Sequence, residues 1–429
     1  MRKNSVLTAA MCTGLAAFCL MFMSHAFGVE YPGNCPGKAR GTCSKTMAVL
    51  ENDAVKMSWS LSDGCLKPIE FVGKVDDTRL DLSGVECFSV SIVRSPHPQA
   101  RTLKASAMKL ESVPVLKRVD AQPKSVRLAD RYAGWRLDAT LFDVTTGLEA
   151  KWSAILRDGS NYVRQSITWS TRKDPVEIVE LTLFEGAVPE GTVAGQVDGS
   201  PVVGKRLFLG IEDPASSSSI TDGIAKCSYP FHNAIAEHTP FALAMVIGIH
   251  PSNQLRRAFL YYLERERACP YRICLHHNNG EQIGEDYYAL KKNKKTEAAA
   301  AEYRAKQEKI WIDVMRQTGE ALKKRGVILA SYVHDYEWDD EFLVWQFHNG
   351  YANGFTPAAK IADELQSKLG IWFSPWGGYS GRKYRVQGGT PQGLELNQQH
   401  NATGFSLAAP RYYSRFRAAT VNMLRDYHV

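Results

Sequence analysis

Short hydrophobic runs that alternate with polar residues fill the first half of the chain. They end at turn residues such as Ser62 to Gly64 and Asp158-Gly159, and they recur about every 8–12 residues. This pattern predicts antiparallel β-strands packed as a large sandwich. Residues 185–225 are rich in Gly, Pro and Ser, and we expect surface loops there around a single strand. The predicted strands are residues 47–50, 55–61, 69–72, 88–93, 125–128, 135–142, 148–155, 162–169, 176–184, 206–211 and 241–249.

The hydrophobic spacing changes to a helical period near Asn253. Residues 255–266 place Leu255, Phe259, Leu260 and Leu263 on one side of a predicted helix. Beyond it, strands and helices alternate, which is typical of a parallel sheet or barrel. The strands are expected at 271–277, 326–333, 369–373 and 405–408, and the helices at 297–324, 357–368 and 410–427.

The middle helix of this region carries its own start signal. Thr356 is the expected N-cap, and Pro357 is the expected first helical residue. A complete (β/α)8 barrel needs about 250 residues, and the stretch after residue 268 covers only three or four βα units. We therefore expect a β-sandwich followed by an incomplete barrel. The predicted divisions are 1–28 signal peptide, 29–252 β-sandwich, 253–267 linker helix and 268–429 partial barrel.

The N-terminus has the features of a secretory signal peptide. Arg2 and Lys3 precede an apolar run at residues 6–23, and Ser24 to Ala26 fit a small-residue cleavage site, with Gly28 as a second choice. A membrane anchor is the alternative, disfavoured because the run is short. We expect a secreted or periplasmic protein that leaves the membrane after cleavage. Seven cysteines then remain, so at least one is unpaired within the chain. In an exported protein, Cys35 with Cys43 is the disulfide that the sequence favours.

Composition and charge exclude several partners and cofactors. A hydrophobic content of 44% supports ordinary buried cores, and a net charge of +7 is too mild to favour nucleic acid. The cysteine spacings do not match a zinc site, and no dinucleotide fingerprint follows a predicted strand. We expect no cofactor and no bound metal. Asn401 to Thr403 matches a glycosylation acceptor, a short pattern that is frequent by chance.

Acidic and aromatic residues follow two of the predicted parallel strands. Because the carboxyl ends of parallel strands meet at one edge, we expect these side chains to gather there. Carboxylates accept hydrogen bonds from sugar hydroxyls, and indole faces stack on the C–H face of a pyranose. The partner indicated is an oligosaccharide or glycan. The predicted substrate-binding residues are Asp335, Trp338, Asp340, Trp372, Trp376, Tyr379 and Lys383.

Several of these residues have a structural alternative. Asp339 and Asp340 are expected to cap or solvate the loop, and Trp372 fits a strand interior as well as a stacking platform. Lys383 is a candidate contact for a sugar or a carboxylate. The histidines near the strand ends fit proton transfer or zinc binding, but hydrogen-bonded structural roles are more common. These histidines are His276, His277 and His334.

Three ordered motifs, HDYEWDD, LGIWFSPWGGY and GFSLAAPRYY, resemble the α-galactosidase-like enzymes of glycoside hydrolase clan D, in particular a secreted bacterial branch with some members labelled "enterotoxin". The resemblance implies an N-terminal β-supersandwich and a (β/α)8 barrel. It makes Asp335 the carboxylate that holds sugar hydroxyls and Trp338 the indole wall, although the Gly and one Asp of the family motif are replaced here. It also places the nucleophile and the acid/base carboxylate beyond Val429.

Two hypotheses follow. The first is an exported, retaining α-galactosidase-like hydrolase acting on terminal α-galactosyl or α-N-acetylgalactosaminyl residues, with no catalytic residue among the 429 present. The second is a carbohydrate-binding or structural exported protein without catalysis.

Overall fold

The computed structural model describes residues 29–429 except 76, 95, 96, 272, 281–296, 380 and 398–403. The chain forms two compact units that divide after Tyr271. The predicted signal peptide at residues 1–28 and the predicted glycosylation acceptor at 401–403 lie outside the described residues.

The first unit consists mainly of β-strands. Every pair of neighbouring strands described in it is antiparallel. The strands are β1 Arg40–Cys43, β2 Met47–Glu51, β3 Val55–Ser60, β4 Lys67–Gly73, β5 Thr78–Asp81, β6 Ser89–Arg94, β7 His97–Lys104, β8 Lys109–Leu110, β9 Val115–Val119, β10 Gly134–Phe142, β11 Leu148–Arg157, β12 Tyr162–Thr171, β13 Val176–Ala187, β14 Thr192–Val193, β15 Val202–Val203, β16 Leu207–Ile211, β17 Ser217–Thr221, β18 Ile224–Ile235 and β19 Phe241–Ile249.

These strands form three sheets. The first is a meander in the order β1-β2-β3-β4-β5. The second has the order β14-β15-β16-β19-β12-β11-β10-β8, with β9 also paired to β10, and the third has the order β17-β18-β13-β6-β7. The prediction of antiparallel β-structure across this region is confirmed. The Asp158-Gly159 turn joins β11 to β12, with Gly159 at a φ of 76°, which favours glycine.

Alternating burial along the strands builds the core of the first unit. In β11 and β12 every second side chain is buried over most of the strand. Large aromatic rings fill the interior: Trp59 meets Trp152 edge to face at 5.5 Å, and Phe88 meets Trp169 at 5.7 Å. Such edge-to-face contacts add to the burial energy of the rings.

Three local predictions in this unit are wrong. Residues 125–128 form no strand: a 3₁₀ helix, Leu128–Arg131, begins there, and the side chain of its last residue, Arg131, donates to the Ser125 carbonyl (2.8 Å). The loop expected at 185–225 contains β17 and the start of β18, since Ser-rich residues form an edge strand there. Cys35 and Cys43 are free thiols, and the Cys43 Sγ lies 3.5 Å from the Pro114 carbonyl oxygen.

The helix after β19 occupies the predicted residues, α1 Leu255–Glu266, but turns a different face inward. Ala258, Tyr262 and Arg265 are buried, whereas Leu260 and Leu263 are 37% and 36% exposed. Polar anchors set this rotation. Arg265 donates to the Asp158 carbonyl (2.8 Å), and its guanidinium lies 4.0 Å from the centre of the Tyr132 ring.

The second unit contains a small parallel sheet with helices. The sheet order is β20-β21-β24, and both pairings are parallel. A two-stranded hairpin, β22 with β23, follows β21. The elements are β20 His276–Asn278, α2 Glu297–Lys323, β21 Ser331–His334, β22 Asp339–Asp340, β23 Gln346–Phe347, α3 Thr356–Glu364, β24 Lys368–Ile371, α4 Arg382–Gly389 and α5 Pro410–Tyr427.

Helix positions in this unit match the prediction more closely than strand positions. Helix α5 matches the predicted range, and α2 ends one residue before its predicted end. Helix α3 stops at Glu364, and Thr356 is its first residue rather than its cap. The N-cap is Phe355, which makes no side-chain capping bond. Because Phe355 is fully buried, packing rather than capping fixes the start of the helix.

The strands of the second unit are shorter than predicted. The run at 326–333 pairs only from Ser331, because the ladder begins where His276 and Lys368 face it. Residues 405–408 form no strand: Phe405 makes a single bridge to Leu396, and its ring stacks on Tyr412 at 4.3 Å. Among the described residues, no helix is long and apolar enough to cross a bilayer.

Candidate functional site

The ends of β20, β21 and β24 place three side chains at one edge of the parallel sheet. The ladder pairs Asn278 with Val333, and His334 with Ile371. It continues one step further, since the Trp372 N–H donates to the His334 carbonyl (2.9 Å). Asn279, Asp335 and Trp372 are therefore the residues that leave the sheet at this edge.

Asp335 is half-buried and tightly held by its neighbours. Its N–H donates to Asn279 Oδ1 (2.8 Å), and its Oδ1 accepts from the Tyr336 N–H (2.7 Å). A Cβ built on Gly280 would lie 2.6 Å from Asp335 Oδ2. Only glycine fits there without displacing the carboxylate, so the sequence at the end of β20 determines the position of Asp335.

Asn279 is a residue to which the sequence analysis gave no role. It is 1% exposed, and its Oδ1 fixes the backbone of Asp335, while its Nδ2 has no hydrogen-bond partner in the described part of the chain. A polar residue directly after a predicted strand was the available signal. Asn279 positions Asp335 and does not itself face solvent.

An aromatic group follows β24. Tyr379 lies 6.3 Å from Trp372 and 6.1 Å from Trp376, measured between ring centres. Trp376 is 42% exposed and Tyr379 is 73% exposed, so both offer ring surface to a ligand. Gly377 and Gly378 have φ angles of 102° and 91°, a conformation that glycine favours and that brings Tyr379 back towards Trp372.

Trp338 belongs to the core. It is fully buried, its Nε1 donates to the Trp372 carbonyl (3.2 Å), and its ring packs against Trp345, Phe355 and Phe373. The predicted role of Trp338 as an indole wall for a sugar does not fit this burial. A tryptophan between acidic residues is typical of an exposed loop, but here the loop folds back and buries the Trp338 side chain.

Asp339 and Asp340 are both engaged by groups of the protein itself. Asp339 forms a bidentate ion pair with Arg385, at 2.7 and 2.9 Å, and both side chains are almost fully buried. Asp340 Oδ1 accepts from the N–H groups of Phe342 (2.9 Å) and Leu343 (3.4 Å). The predicted substrate-binding role of Asp340 does not fit this arrangement, whereas the alternative of a loop cap does.

The Asp339–Arg385 pair is also linked to the loop that carries Trp376 and Tyr379. Arg385 also donates to the Gly377 carbonyl (2.9 Å), next to Trp376. Asp339 accepts from the Trp345 N–H (3.3 Å), at a turn in which Val344 and Trp345 have positive φ. Such backbone is strained for residues with side chains, so the buried pair holds a strained turn and the exposed loop together.

Two buried histidines lie under the edge. His334 donates through Nδ1 to the Asp335 carbonyl (3.1 Å) and accepts at Nε2 from the Tyr351 hydroxyl. Burial lowers its pKa to about 3. His348 contacts Gln307 Oε1 (2.8 Å) and the Glu337 carbonyl (2.9 Å), and burial lowers its pKa to about 4. Both are neutral structural histidines.

The remaining predicted residues differ in accessibility. His276 is exposed, and partial burial lowers the pKa of His277. No group of three or more potential metal ligands occurs among the described residues. Lys383 is exposed on α4, two residues before Arg385. The structure thus places Asp335 and Trp372 at the ends of adjacent strands, and Tyr379 makes ring contacts with both Trp372 and Trp376.

The fold is similar to that of GH36 α-galactosidases. Over 89% of this chain and 64% of the other, it matches a GH36 α-galactosidase from Geobacillus stearothermophilus in complex with 1-deoxygalactonojirimycin, with a TM-score of 0.54 and 11% identity. It also matches the galactosidase domain of an α-galactosidase-sucrose kinase, over 90% and 65%, with a TM-score of 0.54 and 9% identity.

A third similar structure is the α-galactosidase from Lactobacillus brevis, with a TM-score of 0.50 and 9% identity, over 92% of this chain and 63% of that one. The chain thus spans less than two thirds of the length of these structures. Neither a protein-family model nor a curated protein matches the sequence. At these identities the likeness shows the fold alone.

Proposed function

We propose that the protein is an exported, α-galactosidase-like glycoside hydrolase whose sandwich and sugar-holding barrel edge lie in this chain. The substrates would be terminal α-galactosyl or α-N-acetylgalactosaminyl residues of oligosaccharides or glycans. The observation that carries the proposal is the edge itself, where Asp335 and Trp372 follow adjacent parallel strands and Tyr379 and Trp376 extend an exposed ring surface. The fold, shared with α-galactosidases, supports the choice of sugar.

Asp335 has the role of a hydroxyl acceptor in this proposal. A carboxylate at the edge of a pocket accepts two sugar hydroxyls, while aromatic rings cover the opposite, C–H face of the same sugar. Hydrogen bonds to a charged group contribute about 1.5–3 kcal/mol. Trp376 and Tyr379 would bind galactose through the apolar face formed by its C3, C4 and C5 hydrogens.

Retaining hydrolysis needs a second pair of carboxylates, about 5–5.5 Å apart. Asp339 is bound to Arg385, and Asp340 caps a turn, so neither supplies that pair. We propose that the nucleophile and the acid/base residue lie past Val429, in the remainder of a (β/α)8 barrel. The length of the α-galactosidase structures, of which this chain spans 63–65%, supports this.

The second candidate function is carbohydrate binding without catalysis. The same engagement of Asp339 and Asp340 favours it for the 429-residue chain. Reading the gene past the codon for Val429 separates the two. A further strand ending in aspartate supports the hydrolase, whereas an immediate stop codon supports the binding protein.

Export is part of the proposal. The apolar N-terminal run would direct the chain to the periplasm or medium and then be removed. Mass spectrometry of the exported protein should give an N-terminus at Phe27 or Val29. A cell-associated chain that retains residues 1–28 would contradict export with cleavage.

The activity test uses 4-nitrophenyl α-D-galactopyranoside. The polypeptide encoded by the full reading frame should release nitrophenol, and the 429-residue chain should not. Turnover by the 429-residue chain above the uncatalysed rate would contradict the placement of the nucleophile past Val429. Binding of the sugar without turnover by the full-length product would favour the second candidate.

A further inference from the structure

The first unit contains a cavity that the proposed function does not use. Its volume is about 630 Å³, within the range of about 300–1,000 Å³ typical of small-molecule sites. Helix α1 forms one wall, and β12, β16, β19 and the segment before β17 form the others. The residues that carry the argument are Arg164, Glu212, Glu266, Phe259, Tyr262 and Leu263.

The polar wall of this cavity is fixed in place. Arg164 Nε lies 2.6 Å from Glu212 Oε2 and 3.6 Å from Glu266 Oε2. Each carboxylate also accepts from a tyrosine, Glu212 from Tyr262 (2.8 Å) and Glu266 from Tyr162 (2.6 Å). Hydrogen bonds from both sides leave these groups little freedom, so the wall is organised before a ligand arrives.

The guanidinium of Arg164 retains unused donors. In the described part of the chain its two terminal nitrogens have no hydrogen-bond partner, and its side chain is 21% exposed. Glu212 and Glu266 are 16% and 8% exposed, and each has a further lone pair to offer. Fixed donors and acceptors thus alternate along one wall, the arrangement that vicinal hydroxyl groups require.

An aromatic wall stands beside the polar one. The Phe259 ring is packed edge to face against Phe208 (5.2 Å) and Tyr262 (5.4 Å), which fixes its orientation. Leu263, one turn further along α1, is 36% exposed and completes this wall. A rigid ring next to a leucine provides an apolar surface about the size of one sugar ring.

The charges around the cavity cancel. Arg127, Arg164 and Arg267 are matched by Glu212, Asp213 and Glu266. A net charged ligand would lose as much by repulsion from one set as it would gain from the other. A neutral molecule with several hydroxyls and one apolar face fits both walls.

We propose that this cavity is a second carbohydrate site, separate from the edge at Asp335, that binds a neutral mono- or disaccharide. The sugar hydroxyls bond to Arg164, Glu212 and Glu266, and the apolar sugar face lies on Phe259 and Leu263. The site involves only residues of the first unit, so it does not depend on the proposed catalytic function.

The test measures sugar binding by saturation-transfer NMR in the full chain carrying Asp335→Asn, which weakens the other proposed site. The probes are methyl α-D-galactopyranoside, sucrose and maltose, each at about 10 mM, where a site with a Kd of ~1 mM is mostly filled. Leu263→Trp should fill the cavity and weaken binding about tenfold or more. Leu260→Trp is the matched control, because Leu260 is equally exposed on the same helix but does not line the cavity.

A second variant tests the polar wall without filling space. Arg164→Lys keeps the positive charge between the two glutamates but removes the terminal nitrogens, and it should also weaken binding about tenfold. The proposal is overturned if Leu263→Trp and Leu260→Trp bind equally well, if none of the three sugars binds, or if glucuronate binds more tightly than the neutral sugars. Loss of sugar binding at this site, with sugar still bound by the unmodified chain at the Asp335 edge, would leave the proposed function intact.

Discussion

Asp339 is an acidic residue whose role only the structure reveals. From the sequence, Asp335, Asp339 and Asp340 have the same residue type and lie within one loop. Their environments separate them: Asp335 faces Gly280, Asp339 is paired with Arg385, and Asp340 caps a turn. The partner of Asp339 is 46 residues away in sequence, and no local pattern indicates such a pair.

Removing the charge of Asp339 should destabilise the second unit strongly. Asp339→Asn leaves Arg385 buried without its counter-charge, which costs about 3–5 kcal/mol in the free energy of unfolding. It also frees the strained turn at Val344 and the loop at Gly377. Urea unfolding measures the effect.

The matched control for Asp339→Asn is Asp426→Asn, which removes a carboxylate from an exposed ion pair with Arg425 and should leave the unfolding curve unchanged. Equal stability of the Asp339 variant and the Asp426 variant would show that the buried pair does not hold the turn.

Trp338 and Trp376 show that residue type and position near a strand end do not determine whether a side chain is exposed. Both are indoles near strand ends, yet one is fully buried and the other is 42% exposed. The difference arises from the hairpin β22–β23, which folds the first loop back into the core. Hairpins of two residues per strand leave no hydrophobic pattern that a sequence analysis can detect.

At the scale of elements, helices were the most predictable. The ranges of α1 and α5 follow from their helical period and from local limits such as Pro410. Parallel strands such as β21 are shorter in the structure than the hydrophobic pattern predicts. A strand begins and ends where neighbouring strands are present to pair with it, and the pattern does not show this. The edge strand β17 was missed because its serines resemble a loop.

The second unit should be sensitive to acid through two buried histidines, His334 at the end of β21 and His348 directly after β23. His334 and His348 have pKa values of about 3 and about 4 in the folded chain, below the ordinary value near 6.5. Protons therefore bind preferentially to the unfolded chain, so stability is complete above about pH 6.5 and is lost as the pH falls towards those values. At about pH 5 each histidine should cost about 2 kcal/mol.

This acid sensitivity can be measured by urea unfolding at about pH 7 and about pH 5, with pulsed proteolysis and mass spectrometry of α3 peptides to follow the second unit. His348→Gln should reduce the loss between the two pH values, because glutamine keeps a hydrogen-bond donor without a titrating group. His238→Gln, at a side chain that is 91% exposed, serves as the control. A wild-type midpoint that does not change with pH would contradict the assignment.

At the scale of the molecule, the sequence was sufficient for the antiparallel first unit and for the alternation of strands and helices in the second. Buried side chains recur every second residue along a strand and about every 3.6 residues along a helix. These two periods in the hydrophobic pattern distinguish the strands from the helices. The pairing order of the sheets was not predictable, because β19 lies beside β12 and β16 through contacts between distant residues. The free state of Cys35 and Cys43 likewise depends on geometry rather than spacing.

Sugar binding at the edge of the parallel sheet carries the proposed function, and a calorimetric Kd for methyl α-D-galactopyranoside measures it. Asp335→Asn keeps the shape of the side chain and removes its charge, so binding should weaken about 10- to 100-fold, corresponding to the ~1.5–3 kcal/mol of hydrogen bonds to a charged group. Asp363→Asn, at an exposed aspartate on α3, should bind as the unmodified chain does. Equal affinity of all three proteins, or no binding by the unmodified chain, would contradict sugar binding at Asp335.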